Sequence, residues 1–119
     1  MQQHELEAWL GDDHGLDEDQ IAELLRHADD IEERYPDPDD QEERDAALST
    51  AYRLIRLEDE VIGELAQERS DARAAESRAL AGLRQAALML IPTESRTEAG
   101  FARQVGVDRM AVRSWLGKR

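Results

Sequence analysis

The chain contains no cysteine, a single lysine, a single phenylalanine and three prolines in 119 residues, and aromatic residues make up 4% of it. Without cysteine, disulfides and thiolate metal sites are both excluded, so small folded units must be held by apolar packing. With so few aromatics, thin helix–helix seams of Leu, Ile, Val and Ala are expected in place of a thick core, and strands are not expected. Long apolar runs are also missing. The longest, residues 86–91, is far too short to cross a bilayer, and the acidic opening MQQHELEA lacks the pattern of a secretory leader. A cytoplasmic chain with no membrane partner is the expectation. No glycine-rich phosphate loop occurs. His4, His14 and His27 have no i, i+4 spacing for a helical zinc site, and they are expected to be exposed. Asp37, Asp39 and Gln41 open like a calcium loop, but Glu42 stands where that loop needs glycine and Leu48 where it needs a bidentate acid. Neither a metal, a cofactor nor an enzymatic activity is therefore expected.

What the chain does have is charge, and the charge is segregated. The formal net charge is −13, yet residues 1–64 carry 22 acidic and 5 basic side chains (−17), whereas residues 65–119 carry 6 acidic and 10 basic (+4). A polyanion would be repelled by the first part and accepted by the second. Fourteen arginines against one lysine suit a GC-rich bacterial coding sequence.

The periodicity is helical throughout, giving an all-α expectation in three parts. Residues 1–36 read as an acidic helical segment. A short helix over 4–10 carries Leu6, Trp9 and Leu10, Gly11 and Gly15 break it, and Asp17 caps a helix to about residue 35. That second helix has an apolar stripe of Ile21, Leu24, Leu25, Ala28 and Ile31. Pro36 and Pro38 end it. Residues 37–91 read as one long helix of about 80 Å. Its stripe of Leu48, Ala51, Ile55, Ile62, Leu65 and Ala72, interrupted by Glu58 and Arg69, suits a coiled-coil seam in a homodimer with the preceding helix packed along it.

Residues 92–119 carry the most specific pattern. Ser95 and Glu98 fit a capping box that starts a helix near Arg96. Phe101, Ala102 and Val105 share one face, Gly106 allows a sharp turn, and Val107 packs into the angle between helices. Asp108 caps a second helix, 109–116, whose Val112 and Trp115 face inward, and Gly117 ends it. A third apolar stripe, Leu80, Leu83, Ala87, Leu90 and Ile91, would back the pair, with Pro92 at the corner. Arg109, Met110, Arg113 and Ser114 are then left facing outward, with Lys118 and Arg119 close by.

This pattern resembles the helix-turn-helix of bacterial regulators and site-specific recombinases, often x-IA-x3-GV-S-R-x-TV-x-RWL. Phe101-Ala102, Gly106-Val107, Arg109, Val112 and Trp115-Leu116 match it, over roughly a fifth of the chain. Two positions depart. Asp108 replaces the usual Ser or Thr, and Gly100 weakens the first helix by up to about 1 kcal/mol relative to Ala. The resemblance implies double-stranded DNA as partner, with Arg109, Met110, Arg113 and Ser114 reading a major groove and Lys118 and Arg119 holding phosphates. The resulting expectation is a dimeric, sequence-specific DNA-binding regulator, nucleoid-associated when bound. Two alternatives stay open: an acidic adaptor that binds a basic protein through residues 1–64 and keeps the C-terminal hairpin as structure, and a recombination or packaging accessory protein.

Overall fold

The computed structural model describes residues 1–92 and 96–118. Among them are six α-helices, one 3-10 turn and no strand: α1 (Gln3–Leu10), α2 (Glu18–Arg34), the turn Pro38–Asp40, α3 (Gln41–Ile55), α4 (Glu60–Leu90), α5 (Glu98–Val105) and α6 (Arg109–Trp115). The chain divides into two compact units, residues 1–66 and 67–119. The limits expected at 36 and 91 fall inside these units, because α2 shares a core with α3 across the first and the end of α4 packs with α5 and α6 across the second.

The first unit is built on one amphipathic pairing. Asp17 caps α2 by accepting from the Gln20 backbone N–H, and the Gln20 side chain returns a bond to the Asp17 N–H, which closes a capping box. The α2 stripe buries Leu24, Ala28 and Ile31 with Leu48 of α3 and Leu6 of α1, ringed by Leu10, Ile21, Leu25, Ala51 and Ile55. Of the residues expected on an intermolecular seam, Leu48 is thus buried within the chain, with Ala51 and Ile55 half-buried against the same core. At the corner between α2 and α3, Arg44 donates to the carbonyls of Tyr35, Asp37 and Pro38. Tyr52 ties the α1 side down. Its hydroxyl donates to the His14 carbonyl at 2.6 Å, and Trp9 meets its ring edge-on. His14 serves locally as well, its Nδ1 accepting from the Leu16 N–H.

The helix expected to run unbroken over 37–91 is in fact two helices. After Ile55 the backbone of Leu57 enters the left-handed region at φ +64°, the Leu57 N–H donates to Leu54 O and the Glu58 N–H donates to Arg53 O. These are the two bonds of a Schellman ending, usually made with glycine at the left-handed position. Around it, Arg53 pairs with Glu58 and Glu64, and Arg56 with Glu58. The Glu64 carboxyl titrates below its ordinary range because Arg53 hydrogen-bonds to its charged form. Gly63 and Gly82, the residues with the lowest helix propensity between 41 and 91, both remain inside α4.

A left-handed backbone is unfavourable for leucine by about 1–2 kcal/mol, and Leu57 is almost fully exposed, so its side chain returns little for that strain. Leu57→Gly is expected to stabilise the chain by about 0.5–1 kcal/mol, the extra freedom glycine has when unfolded offsetting part of the relief. Urea unfolding followed by circular dichroism checks this; a loss of stability would show that the Leu57 side chain is itself needed.

Candidate nucleic-acid interface

Neither α5, with eight residues, nor α6, with seven, is long enough to hold a helix alone in water. They are held by a common core of Ala87 from α4, Phe101 and Ala102 from α5 and Val112 from α6. Leu90, Ile91, Val105, Val107, Trp115 and Leu116 close around it. Ala102 is buried where its small side chain lets the helices approach, and Val107 sits in the angle between them. Of the stripe expected to back the pair, Ala87, Leu90 and Ile91 join the core, while Leu80 and Leu83 lie outside it, Leu80 exposed and Leu83 half-buried.

Each helix end has an identifiable cause. Gly106 takes φ +77°, and both its own N–H and that of Val107 donate to the Ala102 carbonyl, so α5 ends in a single-residue reversal. Asp108 then caps α6, accepting from the Ala111 N–H at 2.8 Å. The carboxylate that departs from the resembling pattern is thus a helix cap. Gly117 repeats the ending at φ +78°, with Lys118 N–H donating to Arg113 O at 2.8 Å. Arg84 of α4 donates to the Trp115 carbonyl at 3.2 Å, tying the last turn of α6 to the end of α4.

The start of α5 differs from expectation. Ser95 lies outside the described residues. Thr97 is the cap that the structure describes, its Oγ1 accepting from the Gly100 N–H at 2.9 Å, and α5 begins at Glu98. A Cβ at position 100 would stand 2.9 Å from that same Oγ1, so the glycine leaves the cap its place. With Thr97 capping, Glu98 is released for another role. Its carboxylate takes a bond from Lys118 Nζ at 2.7 Å and one from Arg113 at 3.1 Å, with Arg109 Nε 3.6 Å away.

Glu98 is therefore the centre of a cluster that gathers three of the cations expected to contact DNA. Its side chain is 12% exposed, and its carboxyl is held below the ordinary range, chiefly by the Lys118 hydrogen bond and next by that from Arg113. Arg113, expected to face outward, leans on Glu98 and is 28% exposed. Arg109 remains 62% exposed, and Met110 and Ser114 are open to solvent on the same helix. Arg119 lies outside the described residues. Sequence reasoning missed this use of Glu98 because Arg113 and Lys118 are 15 and 20 residues away, a distance only tertiary packing closes. It also passed over Arg84, an exposed helix residue to any local pattern.

Compared with family models, with curated proteins and with solved structures, the chain gives no match.

A carboxyl whose native pKa is depressed contributes stability above its unfolded value, and that contribution is lost as pH falls through the native value. Glu98→Gln is accordingly expected to lower stability at pH 7, with the difference from the unsubstituted chain shrinking below about pH 4. Thermal melts of both proteins at a series of pH values check this; a gap that does not change with pH would mean the cations do not act on the Glu98 charge.

Proposed function

We propose that the chain is a dimeric, sequence-specific DNA-binding protein of the bacterial regulator type. In this reading it is cytoplasmic, nucleoid-associated when bound, and reads the major groove with α6. The observation that carries the reading is the pairing of α5 and α6 across a Gly106 reversal, with Arg109, Met110 and Ser114 exposed on the second helix and Lys118 just beyond its end. Arg109 and Met110 would face base edges, arginine being suited to guanine O6 and N7. Lys118, Arg119 and Arg113 would hold phosphates.

Charge distribution supports the same reading. The unit containing α5 and α6, residues 67–119, holds 10 basic and 6 acidic side chains, while residues 1–66 hold 5 and 22. The boundary between the units falls where the charge changes sign. In this reading Glu98 is an internal counterion: it keeps Arg113 and Lys118 in place in the free protein, and phosphate oxygens compete for them on binding.

One observation favours a second reading. Because Glu98 already engages three cations, the same arrangement would serve a purely structural hairpin, leaving the acidic first unit to bind a basic protein partner. A recombination or packaging accessory protein would share the DNA chemistry of the first reading.

Selection from a random duplex library at moderate salt separates them. The full chain is expected to enrich a motif of two symmetry-related half-sites. Arg109→Glu, which leaves the Arg113 and Lys118 bonds in place, is expected to lower affinity for the selected duplex about 10- to 100-fold with helicity unchanged. If the full chain enriches no motif, the DNA reading fails and the adaptor reading takes its place.

A further inference from the structure

Every residue from 62 to 82 of α4 is exposed, including Ile62, Leu65 and Leu80. Over this stretch the helix gains nothing from tertiary packing of a face, the main source of helix stability in proteins. Along it, positions 62, 65, 69, 72, 76, 79, 80 and 83 recur at helical spacing and form one stripe. Arg69 and Glu76 lie at its centre, and among the described residues neither has a hydrogen-bond or ion-pair partner.

Six positions of this stripe are placed symmetrically about a point between Ala72 and Arg73. Counting outward, Arg69 corresponds to Glu76, Leu65 to Leu80 and Ile62 to Leu83. A two-fold axis across the helix at that point would bring each member of a pair against the other member in a second copy. We infer that a second copy of this chain docks antiparallel on α4 about this point. Arg69 then meets Glu76 of the partner subunit, Leu65 meets the partner's Leu80, and Ile62 meets the partner's Leu83. The alignment rests on the dimeric part of the reading above and is independent of what the C-terminal unit binds.

Charge decides the direction. Two copies running parallel and in register would set Arg69 against Arg69 of the partner subunit and Glu76 against the partner's Glu76, like charges at the middle of the contact. Antiparallel docking turns both into opposite-charge pairs. Symmetry makes the ion pair twice, once on each side of the axis, and the leucines flank it.

Two sets of variants of the full chain test the alignment. Arg69→Glu is expected to raise the dimer dissociation constant at least about tenfold, and Arg69→Glu with Glu76→Arg to restore it, both read by light scattering in the absence of DNA. Because the chain has no cysteine of its own, Leu65→Cys and Leu80→Cys report position cleanly. Mixed and mildly oxidised, they are expected to form the disulfide between the two variants, with Leu65→Cys alone failing to link to itself. A self-linked Leu65→Cys in a dimer of normal mass would overturn the antiparallel alignment and leave the dimer standing. A monomer at micromolar concentration would overturn both.

Discussion

Burial of Phe101 and Val112 against Ala87 is the contact on which the C-terminal unit depends. Seven- and eight-residue helices have too few internal hydrogen bonds to offset the entropy of ordering them, so they persist only while they share apolar area. That requirement also fixes how α6 is rotated. With Val112 fully buried and Trp115 beside it, residues 110 and 114 face solvent, and residues 109 and 113, one turn apart, share the flank that faces Glu98 of α5. The approach of both Arg109 and Arg113 to Glu98 is the result of that one packing decision.

The cation cluster shows why a site's charge has to be read in three dimensions. Glu98 neutralises part of the positive field that the sequence assigns to its end, yet it also removes much of the conformational freedom of Arg113 and Lys118. Long side chains that are already held lose less entropy when an anion arrives, whereas that anion must displace a carboxylate to reach them. The two effects oppose each other. A ligand that offers several oxygens to Arg113, Lys118 and Arg109 together makes more than the two hydrogen bonds Glu98 makes, which favours a polyanion over a single acidic side chain.

Much of this was legible in the sequence wherever the cause was local. Asp17 and Asp108 cap because a carboxylate in front of a helix has N–H groups to accept from, and Gly106 reverses because the position needs positive φ. The α2 stripe announced a partner by its spacing. Two kinds of feature stayed hidden. Where several residues compete for one role, as Ser95 and Thr97 do for the cap ahead of α5, the sequence ranks them poorly, and misplacing the cap misassigned Glu98 with it. Where the local preference is overridden, as at Leu57, propensity points the wrong way. The turn sits at a leucine while Gly63 and Gly82 stay helical, because the Arg53 and Arg56 ion pairs and the Schellman bonds act together at that point.

In the antiparallel pairing inferred for α4, the middle of the helix places charges where a simple seam would place leucine, and that choice would exchange strength for selectivity. An uninterrupted apolar stripe associates with many apolar stripes in several registers and in both directions, since burial of area has no sense of orientation. Arg69 and Glu76 at its centre penalise every register that leaves them desolvated without an opposite charge. Only the alignment that sets one against the other escapes the penalty. In that pairing the leucines on either side would supply area, the charged pair would select the direction, and the alanines at 66, 72 and 79 would be small enough for the two helices to come within reach of that pair.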